Sequence, residues 1–481
     1  MRQPARFLFL RRFEKRGRRY DSTVERLALS EHPRDQLDRS LGLFDATMLV
    51  VASVVGAGIF FAPGQVASLL PDPHWILVAW CVGGALSLAG ALANAELGAL
   101  FPRAGGDYVY LREAFHPVVG FLVGWLTFFA IYTGTIAALA LAFAEGAVAF
   151  LGWSEASVMA LAVSTTLGIS FVNALGVKWG ARGNNLTSII KLMALVAFVV
   201  FGLSSEAGDW SRVVNDGDRG LSHGAGGWVD WGRALSPILF SYLGWNASVF
   251  VASEIRSPAR NVPRSLFLGL GLCVLIYLAV NTVYLYALPL ETLAGTADVG
   301  ESAGRALFGP VGGRWVGVFV LISVLGALNA TVLVGPRIAY AMALDDLFFK
   351  GVERAHSRYR TPAVAIGVQA VSAVVLLGLL RSFPRALDFT VFAILLATSA
   401  DVVALYWLRR SQPQRPRPYR AWGYPWLPGL YLLANAGVAT TMFIGSPLEC
   451  GISLALLLVG LPFYAFFRRR EGRAASQADV E

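Results

Sequence analysis

Twelve apolar runs, each about the 20 residues that a bilayer crossing requires, follow one another along this chain. They fall near 43–70, 75–101, 118–149, 156–176, 183–204, 233–253, 265–289, 312–345, 362–381, 386–408, 427–445 and 449–467. In hydrocarbon every backbone polar group must find a partner within the protein, so runs of this kind become helices. The expected fold class is therefore all-α integral membrane, with twelve transmembrane helices. Composition agrees, because 15% of the 481 residues are charged against about 25% in soluble domains. A soluble enzyme is excluded on that ground.

The net charge of +9 sits in the connections between runs, so it reads as a topology signal and not as a nucleic-acid surface. Arg103 and Arg112 join runs two and three, and Lys178 and Arg182 join four and five. Arg256, Arg260 and Arg264 follow run six, Lys350, Arg354, Arg358 and Arg360 follow run eight, and "RRSQPQRPRPYR" follows run ten. The loops of opposite parity, "LLPDPH", "GWSEAS" and "GSPLE", carry neither Lys nor Arg. In the long loop 205–232, Arg212 and Arg219 are outnumbered by Glu206, Asp209, Asp216, Asp218 and Asp230. By the positive-inside rule both termini are cytoplasmic and the number of spans is even. The expected location is the plasma membrane, or the cell inner membrane if the source is bacterial, as a multi-pass protein.

The expected organisation is a cytoplasmic tail over 1–41, a five-helix unit over 42–204, an external loop over 205–232, a second five-helix unit over 233–408, helices eleven and twelve over 409–467, and a cytoplasmic tail over 468–481. The first tail, "MRQPARFLFLRRFEKRGRR", has too short an apolar core for a signal peptide and reads as disordered or surface-bound. Trp210, Trp228 and Trp231 of the long loop suit a membrane interface. Cys81, Cys273 and Cys450 are too far apart to make a disulfide framework, and none of the histidines (His32, His74, His116, His223, His356) stands as a metal ligand or a catalytic base.

Run one carries its weakest helix formers at its centre, in "VVGAGIFFAPG" (Val54–Gly64). Gly56 and Gly58 lower helix stability and Pro63 lacks an N–H, so a break is expected there. Glycines also allow helices to pack closely, which is the reading given to "GFLVG" at Gly120–Gly124. Run six contains a second interruption, "PILFSYLGWN" (Pro237–Asn246). Interrupted segments at equivalent positions of two five-helix units are the sequence pointer to a transporter site built on inverted repeats. One break frees N–H groups for a carboxylate; the other frees the carbonyls from Phe240 to Gly244 for an ammonium group. Together they suit the zwitterionic head of an α-amino acid. Phe240, Tyr242 and Trp245 are placed to close over it as a hydrophobic gate.

These residues resemble the amino acid–polyamine–organocation superfamily, and within it the L-type amino acid transporter branch and its bacterial relatives. The resemblance rests on "VVGAGIFFAPG", "AELGALFPRAGGDYVYLREAF" (Ala95–Phe115), "FSYLGWNASVFVASEIRSPARNVPRSL" (Phe240–Leu266), "LGALNATVLVGPRIAYAMALDDLFF" (Leu325–Phe349) and "RPYRAWGYPWLP" (Arg417–Pro428). It implies a leucine-transporter-type 5+5 inverted repeat with helices one and six broken, and amino-acid transport by alternating access. It implies carboxylate contacts at Gly56, Ala57, Gly58 and Ile59 and amino-group contacts at Phe240, Ser241, Tyr242 and Leu243, with Phe240 as gate. Ser53 and Gly244 complete the set of candidate contacts. Two positions depart from the family pattern. Ala57 offers no hydroxyl where Ser is frequent, and Leu243 adds bulk where "YGGW" is common, which implies a pocket for small or medium neutral amino acids. The L-type link to a heavy chain is a cysteine between spans three and four; "LGWSEAS" has none, so no disulfide-linked heavy chain is expected.

Lys191 stands about nine residues into run five, deep enough to need a reason. Two roles are open to it besides packing: a fixed cation where sodium-driven cousins of the family hold sodium, bridging spans one, five and eight, or a carrier of the coupling proton. Glu145, Asn329 and Asp401 lie in or beside runs and read as structural polar groups; Glu254 reads as an ion-pair position, and Pro336 as a kink in span eight. The expected function is sodium-independent secondary transport of neutral L-amino acids, by exchange or proton symport, with no cofactor. The alternatives are an amine or polyamine transporter and, in a different class, a channel. A primary pump lacks its phosphate-binding GxxxxGK[ST] loop.

Overall fold

A computed structural model describes residues 37, 39–70, 72–175, 177–214, 227–296, 298–356 and 361–478, without the side chains of 177–182, 228–229 and 471–478. These residues form helices and no strand; the one β-type pairing is the bridge between Leu41 and Ile255. The principal helices are α1 (Leu43–Val54), α2 (Gly58–Leu69), α3 (Pro73–Leu100), α4 (Asp107–Ala114), α5 (Pro117–Leu151), α6 (Ser157–Ala174), α7 (Val177–Leu203) and α8 (Trp228–Ser241). They continue as α9 (Ala247–Phe250), α10 (Pro258–Ala287), α11 (Val299–Val334), α12 (Pro336–Leu344), α13 (Ala363–Leu380), α14 (Phe383–Ser411), α15 (Trp426–Gly445) and α16 (Pro447–Ala478). The tail expected to be disordered or surface-bound lies, up to residue 36, outside the described residues.

Ten helices among the described residues are long and apolar enough to cross a membrane, and the pair α1–α2, bent by 42°, makes an eleventh. The run expected over 233–253 does not form one helix. α8 stops at Ser241, residues 242–246 are turns, and α9 is 4 residues long. The cause is local: Pro237 withholds an N–H inside α8, and Gly244 takes φ 92°, a left-handed conformation that glycine adopts at no steric cost. Boundaries shift elsewhere. α8 opens at Trp228 and not at 233, α7 at Val177 and not at 183, and α16 continues to Ala478 instead of ending near 467. Inside α11, Gly309 (φ 75°, ψ −176°) interrupts the helix before Pro310, so its spanning part begins close to the expected 312. Pro336 marks the junction of α11 and α12.

Burial orders the helices. In the apolar stretch of α5, 83% of the residues are buried, whereas in α6 only 22% are, so α5 is central and α6 faces outward. α10 packs along α1 and α3, α8 along α2, α7 along α1, and α11 and α14 against α5. The broken pairs α1–α2 and α8–α9 are therefore enclosed by continuous helices. "GFLVG" is a packing site: a Cβ on Gly124 would stand 2.9 Å from Met342 Sδ and 3.0 Å from Tyr108 Cβ. Of the interfacial tryptophans, Trp231 meets Trp75 at 5.7 Å and Trp210 meets Tyr286 at 5.0 Å; the side chain of Trp228 lies outside the described residues.

One charged knot ties α3 to α14 and the segment that leads to α15. Glu96 is fully buried. It accepts from Arg409 (Nε to Oε1 3.1 Å, Nη2 to Oε2 2.5 Å), from Arg417 Nη1 at 3.1 Å and from the N–H of Ala421 at 2.7 Å. Four donors on one carboxylate offset the cost of its desolvation, and removing one partner of such a set costs about 3–5 kcal/mol because charge is left buried and unpaired. The arginines also lean on aromatic faces, Arg409 over Tyr424 at 3.9 Å and Arg415 over Phe101 at 4.5 Å. Glu96→Ala is expected to lower the melting temperature of the detergent-solubilised protein clearly, and Glu96→Gln by less; an unchanged melting curve for Glu96→Ala would show that the knot does not hold the bundle.

Candidate functional site

α1 ends because Val55 leaves the helical region (φ −75°, ψ 88°), and α2 starts three residues later at Gly58. The N–H groups of Gly56, Ala57, Gly58 and Ile59 donate to no backbone carbonyl. They point out of the positive end of α2, a helix end suited to an anion. The opposite need, donors for the carbonyls at the end of α1, is met by side chains. Lys191 Nζ donates to Val55 O at 2.7 Å and to Ala52 O at 3.5 Å, and Tyr277 Oη donates to Val54 O at 2.8 Å. A cation at a helix C-terminus is also favoured by the helix dipole.

Lys191 is fully buried. Its stem lies against α11, where a Cβ on Gly326 would stand 2.7 Å from Cε and 3.0 Å from Nζ. The ammonium thus touches α1 and α11 from α7. It continues a polar stripe at spacing three: Asn185 Nδ2 donates to Asp45 Oδ1 at 2.7 Å, and Ser188 Oγ to Met48 O at 3.2 Å.

The second break is complementary. Leu243 N–H returns to Phe240 O at 2.9 Å and Ala247 N–H to Gly244 O at 3.0 Å, so those two carbonyls are engaged within the turn. The carbonyls of Ser241, Tyr242 and Leu243 receive no backbone N–H, which narrows the acceptor set from the expected five residues to three. The side chain of Ser241 is used locally, donating to Pro237 O at 2.7 Å.

The two breaks clasp each other. A Cβ on Gly58 would stand 2.5 Å from Ser241 Cα, and one on Gly244 would stand 2.7 Å from Ser53 Cβ and 2.8 Å from Ser53 O. Each glycine is thus required by a serine of the other segment. Phe240 is buried and packs edge-on to Phe383 at 5.8 Å, which also meets Phe61 at 5.9 Å, so three rings cover one end of the breaks. Tyr242 turns the other way, into an aromatic group with Trp80 (5.9 Å) and Tyr277 (5.2 Å), its hydroxyl donating to Trp80 O at 3.3 Å. Its ring is therefore not part of the cover that Phe240 forms with Phe383 and Phe61.

A cavity lies against the clasp. Ser53, Leu243, Gly244 and Asn246 form one wall; Thr127, Ile131, Tyr132 and Thr135 of α5 form another, and Thr331, Ile394 and Thr398 close it. Ser53 Oγ is buried there without a hydrogen-bond partner. Of the candidate contacts, the structure brings Ser53, Leu243 and Gly244 to the cavity. Gly56, Ala57, Gly58 and Ile59 are buried outside its walls, under Ser241 and Ala327.

Several residues of this site carried no sequence signal. The α5 wall is a six-residue π-helical stretch, Thr127–Tyr132, which turns Thr127 and Tyr132 towards the cavity and which no apolar periodicity predicts. Asn246 and Asp107 on the cavity wall, and Tyr277 at the end of α1, were likewise unmarked, although Asp107 stands within "GGDYVYL". The stripe Asn185, Ser188, Lys191 was readable from its spacing. Of the other polar residues in runs, Asn329 accepts from Asn173 at 2.7 Å and Asp401 from Asn94 at 3.0 Å, while Glu145 is exposed. Glu254 pairs with Arg337 at 2.9 Å, both buried.

A family model described as amino acid permease matches residues 41–464. The serine/threonine exchanger SteT of Bacillus subtilis (strain 168) is 30% identical over 444 residues, which cover 92% of this chain and 99% of that one. The human large neutral amino acids transporter small subunit 2 is 28% identical, covering 89% and 80%, and the human b(0,+)-type amino acid transporter 1 is 27% identical, covering 94% and 92%. With a match that spans nearly all of its helices, the chain belongs to the amino acid permease family, within the amino acid–polyamine–organocation superfamily.

Proposed function

We propose that this permease is a sodium-independent secondary transporter of small and medium neutral L-amino acids that works by exchange. The observation that carries the reading is the clasped pair of breaks, with unengaged N–H groups on one and unengaged carbonyls on the other, beside a cavity. A carboxylate and an ammonium group separated by one carbon need such a pair of surfaces at short range. The relative named as an exchanger supports exchange over net symport. Asp107 on the cavity wall is the one feature that favours an amine instead. Transport, not catalysis, is the activity proposed.

The proposal includes twelve spans, with α1–α2 as the first and α8–α9 as the sixth, arranged as a 5+5 inverted repeat, and both termini cytoplasmic as the arginine distribution requires. Substrate contacts are assigned to the backbone of Gly56, Ala57, Gly58 and Ile59 and of Ser241, Tyr242 and Leu243, with Ser53 and Gly244 at the cavity and Phe240 as gate. Lys191 acts as a fixed cation that holds the end of α1. With no cysteine between α5 and α6, the protein works without a disulfide-linked partner.

In proteoliposomes without sodium, preloaded serine, threonine or alanine is expected to drive saturable counterflow; amines lacking a carboxylate are not. Counterflow by none of the twenty amino acids would overturn the assignment, and current without saturation would indicate a channel. Leu243→Gly enlarges the cavity beside the second break, and uptake of leucine and phenylalanine relative to serine is expected to rise about tenfold or more; an unchanged ratio refutes Leu243 as the size filter. Lys191→Ala leaves the carbonyls of Ala52 and Val55 without their donor, at about 1–3 kcal/mol for each buried acceptor. Exchange should fall at least about tenfold, and near-normal uptake would remove Lys191 from the mechanism.

A further inference from the structure

Two aspartates meet behind the cavity wall. Asp107, at the start of α4, faces the cavity, and Asp401 of α14 lies behind it; both are buried to within 1% of full exclusion from solvent. α4 packs along α14, and this brings the two carboxyl groups within interaction range of each other. Among the described residues, no Lys or Arg pairs with either. The donors that reach them are neutral: Asn94 Nδ2 to Asp401 Oδ2 at 3.0 Å and Thr127 Oγ1 to Asp107 Oδ2 at 3.4 Å. The titratable groups that face the pair are three tyrosines, Tyr110 of α4, Tyr132 of α5 and Tyr431 of α15.

Two carboxylates at this distance in a low-dielectric interior cannot both remain ionised. Other atoms around them also lack partners. Asp107 Oδ1 and Asp401 Oδ1 have none, nor do Asn94 Oδ1 and the Tyr110 hydroxyl, each on a fully buried side chain. Asn94 and Thr127 supply donors only to the Oδ2 atoms. A proton carried by one carboxyl and donated to the other would relieve both the like charge and the missing partner.

We infer that Asp107 and Asp401 form a proton-binding site at the substrate cavity, holding one proton between them whenever the cavity is closed. The inference rests on the transport reading for its role in the cycle and on the pair itself for its chemistry. Opening the wall to water converts the shared acid to two solvated carboxylates and releases the proton as hydronium; closure takes one proton back. Asp107, on the wall, is the member that exchanges the proton with cavity water, and Asp401 stabilises it from behind. Closure is therefore favoured at low pH and lost as pH rises through the titration of the pair.

The test has two arms. Infrared difference spectra of the purified protein, titrated in pH, should show the carbonyl stretch of a protonated buried carboxyl near neutrality, lost in both Asp107→Asn and Asp401→Asn. Serine counterflow by the wild type should decline with rising pH, with a limiting slope of about tenfold per pH unit above the midpoint. Asp401→Asn, whose amide takes the place of the shared proton as donor to Asp107 and cannot release it, should flatten that profile. Absence of the infrared band in the wild type, its persistence in both variants, or a wild-type pH profile in Asp401→Asn overturns the proposal. A purely structural tie between α4 and α14 would change the melting temperature and leave the pH profile unmoved. If the wild type exchanges no amino acid, the transport reading fails, and the infrared arm still decides the proton site.

Discussion

An unpaired peptide group inside a membrane costs several kcal/mol, and the centre of this protein is built from the peptide groups that two helices give up. The break in α1–α2 leaves carbonyls on one side and N–H groups on the other. Lys191 and Tyr277 take the carbonyls, so the first half of the broken helix is held by side chains from α7 and α10. The N–H groups are left over, and a carboxylate is the simplest species that satisfies several at once. The same interaction thus fixes the scaffold and defines what the site lacks. The asymmetry matters: a charge is spent on holding the protein's own carbonyls, and in the proposed site the substrate's charge is left to the backbone.

The far ends of the broken helices are held by different means. Leu41, just before α1, exchanges hydrogen bonds with the chain after α9, accepting from Arg256 N–H at 2.8 Å and donating to Glu254 O at 2.9 Å. Glu254 in turn is paired with Arg337 of α12. Ion pairs therefore accumulate at the ends of the bundle, at Glu254–Arg337 and at Glu96 with Arg409 and Arg417, while the interior is joined by glycine contacts, neutral hydrogen bonds and the Lys191 ammonium. The neutral surroundings of the carboxyl pair at Asp107 and Asp401 set it apart from those ion pairs.

Much of this was legible in the chain because membrane helices have few ways to fail. Glycine and proline in mid-run marked both breaks, and Lys191 was conspicuous because a lysine among apolar residues has no cheap place to go. What stayed hidden has a common cause. The clasp of Gly58 on Ser241 and of Gly244 on Ser53 depends on how two distant segments cross, and no local pattern encodes a crossing. Tyr242 looked like gate material by its neighbours, yet its ring packs on Trp80 and Tyr277. The π-helical turn over Thr127–Tyr132 leaves the apolar pattern intact while rotating the residues after it. Asp107 and Asp401 are 294 positions apart (401 minus 107), and either alone reads as an ordinary helix-end or packing residue.

The clasp also limits how such a site can change over generations. Neither Gly58 nor Gly244 has space for one additional carbon, because each position is filled by the serine of the other segment. The proposed grip on the amino-acid head group is thus inherited as a single unit that drift cannot adjust a little at a time. Divergence in what the protein accepts is channelled to residues that border empty space, such as Leu243, Thr331 and Ile394. A lineage built on this frame can replace its furnishings one side chain at a time while the frame itself stands still.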